Sequence, residues 1–374
     1  MATSANFVQL HNHTHYSLLD GASKIPDLVK RAKELNMPAV GITDHGNMHG
    51  AYEMWSTAVK EGVKPIIGIE AYVTPETARQ DQTRVSWDTN WNPDIDPQHR
   101  RRNPNDVSGG GLITHLTMWA ETDEGLVNLM KASTDANLEG RVMRYPRMDK
   151  EILAKYSKGI IASSGCPSGI IQTRLLLGQF DEALRAAGEL QDIFGRDNFY
   201  IEFMDHGLKI EKQVTDGLLD IAKKLNAPLL ATNDSHYVRA EDAGSQDAML
   251  CINSGSTLDE PGRFKFDGTG YYIKSAEEMR ELFKDIPEAC DNTLEIAERC
   301  NVMFDDHEDG AFMPQFDCPE GWDETSLFLR KVEEGLEQRY DGHPPIEVLK
   351  QADYECGVIC QMQFCGYFLV VADY

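Results

Sequence analysis

Seven apolar, β-favouring runs recur along this chain, and nearly every one ends in a side chain able to bind a metal. The runs are Phe7–Leu10, Ala39–Thr43, Pro65–Ile69, Leu112–Trp119, Gly159–Ser163, Phe199–Phe203 and Pro228–Thr232. Helical periodicity fills several of the intervals, over Pro26–Leu35, Met48–Val59, Glu124–Ala136, Phe180–Phe194 and Ile210–Leu225. Pro26 suits a first helical turn, with Ser23 before it as the expected cap. Strand–helix alternation repeated in this way predicts a parallel sheet, most simply closed into a (β/α) barrel.

In parallel β/α folds the loops after the strands converge on one face, so residues at strand ends share a site. The first run leads into His11, His13 and Asp20, the second into Asp44 and His45, and the third into Glu70. The fourth carries His115, the fifth ends at Cys166, the sixth contains Glu202 and runs into Asp205 and His206, and the seventh leads to Asp234 and His236. On an extended backbone His11, His13 and His15 alternate to one side, where imidazoles two apart can grip one ion or two neighbouring ones. An HxHxH run alone is as readily a solvated stretch as a metal site, and the later strand ends decide for the metal site.

A rim of imidazole, carboxylate and thiolate suits two or three divalent ions, with zinc, manganese and iron all compatible. Glu70 is suited to bridging two of them, and Asp44 to orienting a histidine through a hydrogen bond. Paired metals activate water and stabilise an in-line displacement at phosphorus, so the predicted chemistry is metal-assisted hydrolysis of a phosphoester. Asp20, His45, Glu70 and Asp234 are the expected catalytic residues. Bland readings stand beside these. Cys166 can be a buried thiol, His115 can be a core histidine, and His15, His49 and His206 are weaker candidates.

Charge narrows the partners. Sixty-one acidic against 36 basic residues give a formal net charge of −25, which argues against broad duplex binding but leaves room for a small site where metals supply the positive charge. No apolar run approaches the roughly 20 residues of a membrane span and no signal-peptide pattern opens the chain, so a cytoplasmic protein without membrane contact is expected. Eight scattered cysteines predict reduced thiols rather than a disulfide framework. Cys356, Cys360 and Cys365 are close enough for zinc, but their helical pattern favours buried thiols.

Two stretches break the alternation. Residues 77–111 read as an inserted polar loop whose Arg100, Arg101 and Arg102 either contact phosphates or are merely solvated. Beyond residue 280 the chain becomes mostly helical, over Glu277–Phe283, Ala289–Cys300, Glu324–Tyr340 and Ile346–Met362, with an extended connector at Phe304–Pro319. Its apolar ending predicts truncation from a larger protein. The expected domains are therefore 1–280, carrying the loop 77–111, and 281–374.

The motifs HNHTHYSLLDG, TDHGNMHG, GIEAYV, HLTMWA, SSGC and ATNDSHYV resemble the PHP (polymerase and histidinol phosphatase) domain. With STLDEPGRF and the ending MQFCGYFLVVADY, they resemble more narrowly the N-terminal region of the alpha subunits of bacterial DNA polymerase III. The resemblance implies a distorted (β/α)7 barrel followed by a helical segment leading into the start of a polymerase palm. It implies metal ligands at His11, His13, Asp20, His45, Glu70, His115, Cys166, Asp234 and His236. It further implies a 3′–5′ exonuclease acting on single-stranded DNA 3′ ends within a larger DNA polymerase, with the sliding clamp and other replisome subunits as partners. A metal-filled scaffold that docks a separate proofreading subunit, or a small-molecule phosphoesterase of the histidinol-phosphate type, are the alternatives.

Overall fold

The computed structural model describes residues 6–85, 87, 111–305 and 315–374. Among these residues eight strands form: β1 (Ala39–Ile42), β2 (Lys64–Val73), β3 (Thr114–Ala120), β4 (Arg141–Val142), β5 (Tyr145–Met148), β6 (Ile160–Ser163), β7 (Phe199–Phe203) and β8 (Leu229–Ala231). The pairing order runs β1, β2, β3, β6, β7, β8. The first apolar run closes the ring without forming a regular strand. It bridges β1 at Gln9 and Val40, and it bridges the segment after β8 at Asn12 and Ser235. His13 N donates to Ser235 O at 2.7 Å, and Thr43 N donates to Asn12 O at 2.9 Å. Seven staves thus enclose a barrel of the expected (β/α)7 class.

The direction of one stave departs from the parallel expectation. β3 runs antiparallel to both β2 and β6, while β1–β2, β6–β7 and β7–β8 are parallel. Hydrophobic periodicity is the same read in either direction, so it carries no strand polarity. The reversal has a consequence for the site. Because β3 is inverted, His115 near its N-terminal end faces the same rim as the carboxyl ends of its neighbours. The short antiparallel hairpin β4–β5, which also pairs with the end of β2, falls outside the seven runs.

The far end of the barrel is sealed by apolar side chains drawn from every stave. Val8, Leu10, Ala39, Ile66, Trp119, Ile161, Tyr200 and Leu230 form one buried cluster. Trp119 spans the interior and donates its indole N–H to Leu10 O at 3.1 Å. Withdrawing about 200 Å² of such a ring from water is worth roughly 5 kcal/mol before entropy is counted. Ile296 and Ala297 of the helix Pro287–Arg299, with Cys300, complete this cluster. Thr293 Oγ1 of that helix accepts from Val8 N at 3.1 Å. That helix lies beyond the expected boundary at 280, yet it belongs to the first compact unit, which ends at Phe304; the second comprises Asp305–Tyr374.

Local details differ from expectation where tertiary contacts intervene. The first helix begins at Ile25 with Lys24 as its cap residue and no side-chain capping bond; Ser23 instead gives its carbonyl to His15 N at 2.9 Å. The insertion is tied down at both ends by Arg147, a fully buried guanidinium. It donates to the carbonyls of Arg79, Asp81, Leu112 and Gly140 at 2.6–3.3 Å. Arg100, Arg101 and Arg102 lie outside the described residues. All eight cysteines are free. Cys356, Cys360 and Cys365 pack around Phe328 and Leu369 within the second unit, between the helices Glu324–Arg339, Ile346–Gln361 and Cys365–Asp373. Among the described residues, no single helix is long and apolar enough to cross a membrane.

Candidate metal centre

The open end of the barrel gathers the nine residues expected there. Glu70, inward-facing on β2 and buried, lies at the centre. Its Oε1 approaches His115 Nδ1 at 3.1 Å and His11 Nε2 at 3.6 Å. Its Oε2 approaches His45 Nδ1 at 2.7 Å and His13 Nε2 at 3.3 Å. Asp234 Oδ1 faces His13 Nε2 at 3.0 Å and His11 Nε2 at 3.3 Å. Asp20 Oδ2 lies 2.9 Å from His45 Nε2 and 3.8 Å from His236 Nε2. Cys166 Sγ lies 3.4 Å from His115 Nδ1. All of these except the fully buried His11 and His13 line a cavity of about 290 Å³, together with residues 264–267 and Tyr271.

Several of these buried atoms have no hydrogen-bond partner: the Nε2 atoms of His11, His13 and His236, His45 Nδ1, Asp20 Oδ1, Asp234 Oδ1 and both oxygens of Glu70. An unpaired buried polar atom costs about 1–3 kcal/mol, so a cluster of them calls for a common partner. Among the described residues, three groups can each surround one ion, with all ligand atoms within 4.8 Å of one another: His13, His45 and His236; His11, His13 and Glu70; His45, Glu70 and His115. Glu70 is shared by two of these groups, as a bridging carboxylate requires. The donor set therefore fits divalent cations.

The supporting bonds aim the imidazoles. His11 Nδ1 meets Glu202 Oε1 at 2.7 Å, and Glu202 in turn accepts from Thr232 Oγ1 at 2.6 Å and from Ser163 Oγ. A proton held on Nδ1 leaves Nε2 free as a ligand. His236 Nδ1 meets the carbonyl of Asp234 at 2.8 Å, with the same effect. For His13 the partner is Ser17 Oγ at 2.9 Å, which donates to Asp44 Oδ1 at 2.7 Å. Asp44 thus touches no histidine itself. It steers His13 through Ser17, and it also accepts from Thr14 N and Thr14 Oγ1 at 2.7 and 2.8 Å.

Backbone geometry contributes as well. Gly46 has φ +64°, and a Cβ there would lie 2.8 Å from the Tyr72 ring, so the turn after His45 requires glycine. Asp234 is held at φ +41°, a region that costs a non-glycine residue free energy and is typical of functional sites. The Asn233 side chain offsets this by donating to the carbonyls of Gly270 and Tyr272 at 3.0 and 2.8 Å.

Charge is tightly balanced. Burial raises the Glu70 pKa, but His115 and His45 outweigh it and hold the carboxyl well below its ordinary value. Burial opposes a charge on His11, yet Glu202 and Asp234 hold its pKa well above that of a free imidazole. His45 is likewise raised against burial, by Tyr72 and Glu70, and His236 by Asp234 and Asp20. His13 is lowered, by burial and by His45. Burial, then Glu70, pushes the Cys166 thiol up. The carboxylates demand positive charge, which protons and divalent cations compete to supply.

The weaker candidates sort out plainly. His15 packs against Tyr16 with ring centroids 4.3 Å apart and tilted by 35°, and it belongs to none of the three groups. His49 is exposed. His206 engages Glu211 Oε1 at 2.6 Å through Nδ1 and Asn233 O at 2.8 Å through Nε2, so neither ring nitrogen is left for a metal. Sequence reasoning missed the role of Glu202. The available signal was a carboxylate inside the apolar run FYIEF, which cannot be buried without a partner.

The PHP domain family matches residues 9–206. The chain belongs to the PHP domain family. Residues 326–374 match a second family, described as the bacterial DNA polymerase III alpha NTPase domain. The chain is 49% identical over 373 residues to a DNA polymerase III subunit alpha of Mycobacterium tuberculosis, and 50% identical over 370 residues to that of Mycobacterium leprae. It is 38% identical over 381 residues to that of Borreliella burgdorferi. Each alignment covers 99–100% of this chain but only 30–31% of the relative. The chain therefore spans about a third of the length of the curated relatives it matches.

Proposed function

We propose that this PHP domain is a metal-dependent 3′–5′ exonuclease that hydrolyses phosphodiesters at single-stranded DNA 3′ ends. It would serve proofreading within a DNA-directed DNA polymerase whose catalytic residues lie outside these 374 residues. The observation carrying this reading is the convergence of orphaned ligand atoms on both oxygens of Glu70. The relatives' common name, DNA polymerase III subunit alpha, supports the replicative context. On this reading the DNA and the replisome subunits, the sliding clamp among them, are the partners, and residues after 304 lead toward the palm.

The proposed ligands are His11, His13, Asp20, His45, Glu70, His115, Cys166, Asp234 and His236. When bound, divalent cations, with zinc, manganese and iron all suited to the donor set, would supply Lewis acidity to phosphate and to the attacking water. The chain's own part is positional. Glu70 spans the two halves of the site with its two oxygens, and Glu202 and Ser17 hold protons on His11 Nδ1 and His13 Nδ1. Asp20 and Asp234 flank His236 at 3.8 and 3.7 Å, and the buried walls keep bulk water from screening these charges. Asp20 Oδ2, 2.9 Å from His45 Nε2, would hold the proton there and leave Nδ1 as the ligand atom, while Asp20 Oδ1 could accept a proton from the attacking water.

Turnover of a single-stranded oligonucleotide against a phosphomonoester tests the reading. Preferential hydrolysis of the oligonucleotide supports it. Preference for the monoester would favour a small-molecule phosphoesterase, and a metal-loaded chain inactive on both would favour a scaffold for a separate proofreading subunit.

A further inference from the structure

Over the mouth of the metal cavity lies a segment that the catalytic reading leaves unused. Residues 256–270 form neither helix nor strand, yet the segment is firmly anchored. Arg263 makes a two-pronged salt bridge to Asp247 on the helix Ala243–Ser254, with both N–O distances 2.6 Å. It also donates to the carbonyls of Leu258 and Phe264 at 3.2 and 3.3 Å. This pin presents Phe264, Lys265 and Phe266 to the cavity, and all three line it.

The three side chains differ in setting. Phe266 packs edge-on against His236 at 4.7 Å and against Tyr271 at 4.7 Å, which joins it to the metal ligands. Phe264 stands outward from it at a centroid distance of 6.1 Å and is 61% exposed. Lys265 between them is exposed. A single exposed ring is ordinary by itself, but Phe264 stands at the edge of the cavity that the metal-ligand candidates line, with Lys265 beside it. An exposed aromatic next to a cation, at the edge of a phosphate-hydrolysing centre, is the arrangement by which single-stranded nucleic acids are held: a base stacks on the ring and the cation meets the backbone.

We infer that the strap 263–266 is the subsite for the 3′-terminal nucleotides, with Phe264 stacking a base and Lys265 contacting a backbone phosphate next to the cleaved bond. This rests on the exonuclease reading of the same site and adds what that reading lacks, a reason for preferring single strands. A paired 3′-terminal base is held in the helix by its partner and the stack beneath it, whereas a frayed or mismatched one is free to leave the helix and lie on Phe264. The strap thereby selects unpaired ends without reading sequence. Phe264 and Lys265 act as positioning residues, and neither is a candidate metal ligand.

The test uses the full 374-residue chain in zinc-containing buffer and an oligothymidylate ending in 2-aminopurine, with its last linkage a phosphorothioate to slow cleavage. Stacking on Phe264 should quench the 2-aminopurine fluorescence. Phe264→Ala should remove the quench and weaken binding about tenfold to hundredfold, as losing one stacked base does. Phe264→Trp should restore both. Lys265→Ala should lower the salt slope of binding by about 0.7, the increment for one phosphate on a single strand. With ordinary linkages, Phe264→Ala should raise KM on base-bearing ends and leave an abasic 3′ terminus unaffected. A quench and affinity identical in wild type and Phe264→Ala would overturn the inference, even if hydrolysis is robust. That result would reassign the exposed ring to contact with another protein. Quenching without hydrolysis in a metal-loaded chain would instead sustain the subsite and overturn the exonuclease reading.

Discussion

Replacing Glu202 by glutamine probes how the barrel supports its metal site. The change preserves volume but turns one oxygen, an acceptor, into a donor. Glu202 Oε1 accepts from His11 Nδ1 at 2.7 Å and from Thr232 Oγ1 at 2.6 Å, and Oε2 accepts from Ser163 Oγ. An amide satisfies only one of these two faces. If its oxygen stays with His11 and Thr232, Ser163 can turn to donate elsewhere; if it flips, His11 loses its partner at full burial. Either way His11 loses a negatively charged acceptor that holds Nδ1 protonated and Nε2 basic. Outer partners of this kind are worth about tenfold to a hundredfold in metal affinity, or roughly 1.4–2.8 kcal/mol. Competition against a chromophoric chelator measures the affinity. Melting with and without metal measures the same quantity again, because a ligand stabilises the folded state by RT ln(1 + L/Kd), where L is the free ligand concentration. The metal-dependent gain in stability should shrink by the same roughly 1.4–2.8 kcal/mol when metal is well above both dissociation constants. A variant that folds normally and binds metal within twofold of wild type would refute this account of His11.

Further outcomes follow from the same geometry. Asp20→Asn removes a charged group from beside His45 and His236 and should abolish hydrolysis while leaving most of the metal bound; retained turnover, read by release of a labelled 3′ nucleotide, would remove Asp20 from the machinery. His11, His45 and His236 all have raised pKa values, and a protonated imidazole cannot ligate. Metal binding should therefore release protons at neutral pH, and affinity should climb as pH rises past the free imidazole value of about 6.5. Calorimetry in two buffers of different ionisation enthalpy reads that release, and a zero result contradicts it. Arg147→Met should leave the carbonyls of Arg79, Asp81 and Leu112 without the guanidinium, while Gly140 O keeps its bond from the residue 147 N–H, costing about 3 kcal/mol or more. Denaturant unfolding of the chain would show the loss, and an unchanged midpoint would mean that water replaces the guanidinium.

The strand-end residues made most of the site legible before any fold was seen. Each apolar run ends where its polarity changes, and the change falls at the rim in any β/α barrel. What stayed hidden was whatever depends on direction or on distant partners. The inversion of β3 could not be read from THLTMWA, and it is this inversion that delivers His115. Glu202 showed its oddity within FYIEF but not its target, since His11 is 191 residues away in sequence. The helix Pro287–Arg299 displays an apolar face in sequence but not the far end of the barrel that it seals, so periodicity alone suggests a boundary at 280. Asp44 sat next to a histidine in sequence but steers another one through Ser17. The aromatic strap at 264–266 has no periodicity, and only its position over the cavity gives it meaning.

The most direct test of the central claim is release of the terminal nucleotide from a 3′-labelled single-stranded oligonucleotide by the metal-loaded chain, with the metal counted in the same sample. The account predicts two or three divalent ions per chain. It also predicts release that stops with chelator, returns on adding metal back, and is absent from Asp234→Asn. A chain that holds its full complement of metal, binds the oligonucleotide and releases nothing would contradict it.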